Sequence, residues 1–157
     1  MSLVVGNREH VKLTDGGRLA AGFTGIAGDC VTRAIAIAAG RPYELAYTEL
    51  RRRQQSYASE RDLPRRWRSP RTGVFHDVWI PYLFALGWRQ VLPLPADLPM
   101  GRLIVELPEH LTAVIDGVTH DAFDPWRTRR RVRSIWTGPL NDNPLDRPVA
   151  LQLFTGW

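Results

Sequence analysis

Asp29-Cys30-Val31-Thr32-Arg33-Ala34-Ile35-Ala36-Ile37-Ala38-Ala39-Gly40 marks the one abrupt change of pattern in this chain. Val31, Ala34, Ile35 and Ala38 fall at helical spacing, Asp29 is a favourable N-cap, and Gly40 suits the left-handed position that ends a helix. Upstream, residues 1–28 hold six glycines and little periodicity, which predicts an irregular lead-in winding towards a site. Downstream, a second helix is predicted from Pro42, a residue suited to the first helical position, through Leu45 and Leu50 to about Gln55. Residues 56–73 are charged and punctuated by Pro64 and Pro70, the composition of a mobile loop. Residues 74–86 are aromatic and mostly helical in pattern; Pro81 must kink that helix or begin a new segment, and Gly87 closes it.

Beyond Gly87 the period shortens to that of strands. They are predicted over residues 89–94, 102–107, 110–116, 118–124, 131–136 and 149–154, and Asp116-Gly117 between apolar alternations is a strong hairpin signal. Helices first and an antiparallel sheet afterwards make an α+β arrangement. At 157 residues without a repeat or low-complexity tract, the chain reads as a single domain over 1–157.

Composition removes several function classes. The longest apolar runs, such as residues 34–39, are far short of the roughly 20 residues that span a bilayer, so no membrane partner is expected. Met1-Ser2-Leu3-Val4-Val5-Gly6 lacks the basic and apolar segments of a secretory signal. A single cysteine forms no internal disulfide, and with four scattered histidines it offers no zinc-ligand spacing. These features predict a cytoplasmic protein. Six Trp, five Phe and four Tyr argue against disorder.

The net charge of +5 is carried by arginine, Lys12 being the only lysine. Arg51, Arg52, Arg53, Arg61, Arg65, Arg66, Arg68 and Arg71 form one cluster, and Arg127, Arg129, Arg130, Arg131 and Arg133 form another, with Trp67 and Trp126 among them. Cations beside aromatics contact phosphates and stack on bases. Nucleic-acid binding therefore stands as an alternative function, although no fingerprint of a nucleic-acid module accompanies the charge. Placed at the rim of a cleft, the arginines of 56–73 would favour an acidic peptide or protein partner.

Cys30 sits in the first turn of the first predicted helix. Free N–H groups there carry partial positive charge, favour thiolate over thiol, and can stabilise an oxyanion. A lone cysteine is also a common small core residue, so its partners decide. His110 opens the strand His110-Leu111-Thr112-Ala113-Val114-Ile115, and across the hairpin lie His120, Asp121 and Asp124. A carboxylate that accepts from the imidazole would fix its tautomer. A two-residue turn at Asp116-Gly117 pairs His110 with Phe123 and sets Asp121 diagonal to the histidine. A three-residue loop instead puts Asp124 and His120 on the histidine's face.

Cys, then His, then Asp, on helix, strand and hairpin partner, resembles the papain-like cysteine peptidase superfamily, with C39-type bacteriocin-processing peptidases as a close comparison. A narrower resemblance is to small, mostly uncharacterised bacterial and phage proteins of that type. It rests on Ala20-Ala21-Gly22-Phe23 through Gly28-Asp29-Cys30-Val31-Thr32-Arg33-Ala34-Ile35-Ala36-Ile37-Ala38, on Leu86-Gly87-Trp88, on Gly101-Arg102-Leu103-Ile104-Val105, and on His110 through Asp121 into Asp124-Pro125. The resemblance implies a papain-like fold with the nucleophile helix packed on a twisted antiparallel sheet. It implies a thiol-dependent hydrolase of peptide or amide bonds that needs no metal or cofactor. Cys30 would be the nucleophile and His110 the base. Asp124, as the Asp-Pro aspartate of that pattern, is favoured as the third member over Asp121. The superfamily's oxyanion-donating Gln, six residues before the Cys, is replaced by Thr24, whose hydroxyl is the candidate donor here, with a backbone N–H of the Gly22 to Gly28 segment as the alternative. With Thr24 in that place, a catalytically weak or inactive protein-binding module of the same fold is the alternative.

Overall fold

The computed structural model describes residues 3–5, 10–25 and 28–139; the strand expected over 149–154 lies outside them. Helix α1 (Cys30–Ala39) forms where the apolar spacing put it, burying Val31, Ala34, Ile35 and Ala38. Gly40 ends it at φ 63°. There its N–H meets Ile37 O at 3.2 Å, and Arg41 N meets Ala36 O at 2.9 Å, satisfying carbonyls the helix leaves open. Asp29 takes the N-cap position, but its side chain makes no capping bond. It turns inward to Arg33 and Tyr43 instead.

Helix α2 (Tyr43–Glu60) has Pro42 as its N-cap and runs five residues past the expected end at Gln55. The extension is held by Ala58, which is fully buried and whose carbonyl receives Leu63 N at 2.9 Å. Residues 56–73 are thus not one loop. They comprise the last turn of α2 and two 3₁₀ turns, Arg65–Arg68 and Pro70–Thr72. Gln54 pins this segment from inside α2, donating through Nε2 to Trp67 O at 2.8 Å and Gly73 O at 3.1 Å. Helix α3 (His76–Ala85) runs through Pro81 without starting a new segment. Pro81 removes one ladder bond, while burial of Val78, Trp79, Tyr82 and Leu83 holds the helix on both sides of it.

Strands β1 (Val4–Val5) and β2 (Val11–Leu13) precede the helices; β3 (Arg89–Gln90), β4 (Arg102–Leu107), β5 (His110–Ile115), β6 (Val118–Asp121), β7 (Arg130–Arg131) and β8 (Ser134–Thr137) follow them. Six form one sheet in the order β2-β6-β5-β4-β8-β3, and β1 pairs with β7 apart from it. The main sheet is mixed rather than wholly antiparallel, because β2 runs parallel to β6, Val11 opposite Thr119. The lead-in is therefore not all irregular: it returns to edge the sheet. The strand expected over 131–136 is divided between β7 and β8, and β6 stops at Asp121.

The β5–β6 turn fixes the register of the site. Asp116 at φ 49° and Gly117 at φ 81° form the two-residue turn with both central residues left-handed, and Ile115 pairs with Val118. Side chains alternate across the sheet. Ile104, Leu111, Ala113 and Trp136 pack with α1 and α3. Leu103, Val105, Leu107, Val114 and Ile135 enclose a second core with Trp126, Val132 and Leu3. The architecture is α+β, with three α-helices and a six-stranded mixed sheet among the described residues. None of those helices is long and apolar enough to cross a membrane.

Candidate functional site

Two first residues meet at one end of the sheet. Cys30 opens α1, His110 opens β5, and the half-buried thiol lines the same cleft as the imidazole, close enough for the two groups to act on each other's charge. His110 Nε2 lies 2.7 Å from Asp121 Oδ2. The carboxylate accepts, so Nε2 carries the proton and Nδ1 is the nitrogen left for the thiol. The side chains of His110 and Asp121 are only 8% and 3% exposed, which shields their bond from competing water.

Electrostatics follow from this chain of contacts. Burial pushes the Cys30 thiol up, but the His110 hydrogen bond and charge, the Leu111 backbone and Arg33 together bring it below its ordinary value. Burial alone would depress His110. Its bonds to Asp121 and Cys30 and their charges outweigh that and raise it to about 9. Burial likewise pushes Asp121 up, while the His110 bond and charge and the Ala122 amide hold it below the usual carboxylate range. All three shifts favour thiolate, imidazolium and carboxylate side by side.

The register decides between the two aspartates, against the one the Asp-Pro resemblance favoured. With Ala113 opposite His120, Asp121 falls opposite Thr112 and diagonal to His110, within reach of the imidazole. Asp124 lies past the end of β6, where its Oδ1 accepts from Trp126 N at 2.9 Å and shapes the turn around Pro125. His120 is not part of the cluster; burial, Lys12 and Arg102 depress it.

Thr24 is not at the site either. It is exposed and absent from the lining of the cleft that holds Cys30. Its carbonyl accepts from Arg71 Nη2 at 2.5 Å and Arg18 Nη2 at 3.2 Å. The donors beside Cys30 are the backbone N–H groups of the first turn of α1, which have no intrahelical acceptor.

The cleft encloses about 420 Å³ between the start of α1, the start of α3 and the ends of β4 and β5. Thr72 and Gly73 form part of its wall, so the end of the 56–73 segment does border the site. Gly28 N bonds Arg71 O at 2.6 Å and ties that wall to the residue pair before Cys30. Three of the segment's arginines are committed to backbone carbonyls, Arg71 to Thr24, Arg68 to Leu63 and Arg61 to Tyr57.

Sequence reasoning overlooked Arg33, Phe123, His76 and Glu106. Arg33 binds Asp29 on its own helix and approaches Asp121 on β6. Phe123 lays its ring 4.9 Å from that of His110. His76 and Glu106 pair within the same cleft. Only Glu106 carried a signal, as a carboxylate inside the otherwise apolar run 103–107. Comparison with known protein families, with curated proteins and with solved structures finds no match.

Proposed function

We propose that this protein is a thiol-dependent hydrolase of papain-like type, acting on a peptide or amide bond. The observation that carries the reading is the His110–Asp121 bond of 2.7 Å on an imidazole that shares its cleft with the Cys30 thiol. A histidine so held has its tautomer fixed and its cation stabilised, which are the two requirements for activating a neighbouring nucleophile.

In the reaction, the Cys30 thiolate attacks the carbonyl carbon, and the carbonyl π electrons move onto oxygen. Backbone N–H groups at the start of α1 stabilise that oxyanion. Collapse breaks the C–N bond, and His110 gives its proton to the departing amine, leaving a thioester on Cys30. Water then loses a proton to His110 and attacks the thioester. The second collapse releases the carboxylic acid and restores thiolate and imidazolium. Asp121 stays ionised throughout and holds the ring. Such chemistry belongs in a reducing compartment, where a thiol persists, and we place it in the cytoplasm of a bacterial cell, its gene of bacterial or phage origin.

The alternative, a protein-binding module of the same kind without turnover, draws on the position of Thr24 outside the cleft. Loss of one oxyanion donor costs about 2.7–4 kcal/mol of transition-state stabilisation. Iodoacetamide separates the readings at their root. Cys30 of the native protein should be alkylated at neutral pH far faster than a free thiol, and His110→Ala should bring it back to the free-thiol rate. A native rate equal to that of free cysteine overturns the hydrolase reading.

A further inference from the structure

The cleft contains a second polar array that the chemistry above leaves unused. Glu106 on β4 is a carboxylate whose side chain is 11% exposed, a costly placement unless its oxygens are satisfied. Ser134 Oγ donates to Oε2 at 2.6 Å, and His76 Nε2 meets Oε1. Ser134 Oγ itself accepts from Trp136 Nε1 at 2.9 Å. The indole only donates, so the serine proton is committed to the carboxylate. Ser134 and His76 thus both donate to Glu106, and the array ends at an imidazole.

That imidazole is placed unlike the rest of the array. The His76 side chain is 60% exposed and lines the cleft together with Cys30 and His110. Trp79 braces its ring, with centroids 5.3 Å apart. Because Nε2 donates to Glu106, the neutral ring carries its lone pair on Nδ1, and no group among the described residues bonds that nitrogen. A surface hydrogen bond alone gives little reason to bury a carboxylate with a serine and a tryptophan behind it. What the arrangement provides is one hydrogen-bond acceptor, fixed in tautomer and orientation, on the wall of the cleft.

We propose that His76 is a substrate-positioning residue, its Nδ1 accepting a main-chain N–H from the acyl part of a peptide whose scissile carbonyl sits at Cys30. This rests on the reading of Cys30 as nucleophile. The substrate class it selects is a peptide with a secondary amide beside the reacting residue; N-alkylated amides at that position lack the donor.

The test compares three probes that all end on the Cys30 sulfur. Acetyl-alanyl-alanyl chloromethyl ketone offers two amide N–H groups, two analogues each carry one of them as N-methyl, and iodoacetamide reads the thiol alone. In the native protein, methylation of one of the two amides should slow alkylation about fivefold to tenfold, the worth of one hydrogen bond. His76→Ala should slow the unmethylated probe to the same rate, abolish the sensitivity to methylation, and leave the iodoacetamide rate unchanged. His76→Asn, whose amide oxygen occupies nearly the place of Nδ1, should restore part of the discrimination. A native protein indifferent to both methylations, or a His76→Ala variant as sensitive as the native protein, overturns the role of His76 while iodoacetamide still reacts fast. An iodoacetamide rate equal to that of a free thiol overturns the reading of Cys30, and the role of His76 with it.

Discussion

Arg33 Nη2 lies 3.5 Å from Asp121 Oδ1, so a guanidinium on α1 reaches the carboxylate that orients His110 on the sheet. The same side chain binds Asp29 through Nη1, and Asp29 is 1% exposed. Tyr43 and Arg18 complete the surroundings of Asp29, the Tyr43 hydroxyl 2.7 Å and Arg18 Nε 3.5 Å from Oδ2. Replacing Arg33 by Ala leaves Asp29 and Asp121 buried with less positive charge than they need. Breaking a buried pair from one side costs about 3–5 kcal/mol. Urea unfolding of Arg33→Ala should show a loss of that size.

The pH dependence has a definite sign. His110 is raised from 6.5 to about 9, so the stability it contributes is complete below about pH 6.5 and is lost as pH rises through about 9. Asp121 is lowered from 3.8, so its contribution is present above that value and disappears as pH falls through the folded value. The thiolate–imidazolium pair should therefore be populated across neutral pH and give way near pH 9, where hydrolysis of a peptide substrate should fall. Iodoacetamide at pH 6 should modify Cys30 more than about tenfold faster than free cysteine, which holds little thiolate there. Because the groups are coupled, the two limbs belong to the pair rather than to either residue.

The two aspartates near the hairpin should respond unequally to the same chemical change. Asp121→Asn removes the charge facing His110 Nε2, destabilises the imidazolium, and should slow iodoacetamide alkylation at pH 7 by about tenfold. Turnover should fall further, by up to about the 10⁴ seen when a triad carboxylate is neutralised. Asp124→Asn keeps an oxygen for Trp126 N and should leave both rates near those of the native protein. Equal loss in the two variants would contradict the register described above.

How much of this was legible beforehand depends on whether the deciding contacts are local. The helix from Cys30 to Gly40 and the hairpin at Asp116-Gly117 are set by spacing and turn chemistry within a few residues, and both formed as read. Cys30 and His110 could be nominated because a helix start and a strand start are themselves local signals. Asp121 against Asp124 turned on a single residue of register, and the Asp-Pro resemblance pointed to the one that instead shapes the following turn. The return of Val11–Leu13 to the sheet edge left no trace, because three residues are too few for a period and a parallel partner more than a hundred positions away imposes none. His76 was invisible for a similar reason: its meaning comes from Glu106, thirty residues on, and from Ser134 behind that.

Gln54 offers a check on the wall of the cleft. Its side chain is fully buried and serves Trp67 O, Gly73 O and, at 3.4 Å, Phe75 N. Gln54→Ala leaves these backbone groups without partners in a region closed to water, at a cost of about 1–3 kcal/mol. The urea midpoint should drop accordingly. Because Gly73 borders the cleft, the rate of the chloromethyl ketone probe should fall while helix content by circular dichroism is retained.

The contact between Cys30 and His110 joins residues eighty positions apart, one on the first helix and one on a strand in the middle of the sheet. Neither the helix nor the hairpin holds the pair alone; it exists only once the two have docked. The protein therefore carries its own folding reporter. In any state where helix and sheet are each formed but not joined, Cys30 reverts to an ordinary thiol, and its reactivity registers the loss before secondary structure does. Thiol reactivity followed through denaturant would then read out the cooperativity of the fold at a single atom. Its midpoint would coincide with that of global unfolding if helix and sheet separate only when everything does, and would precede it if they part first.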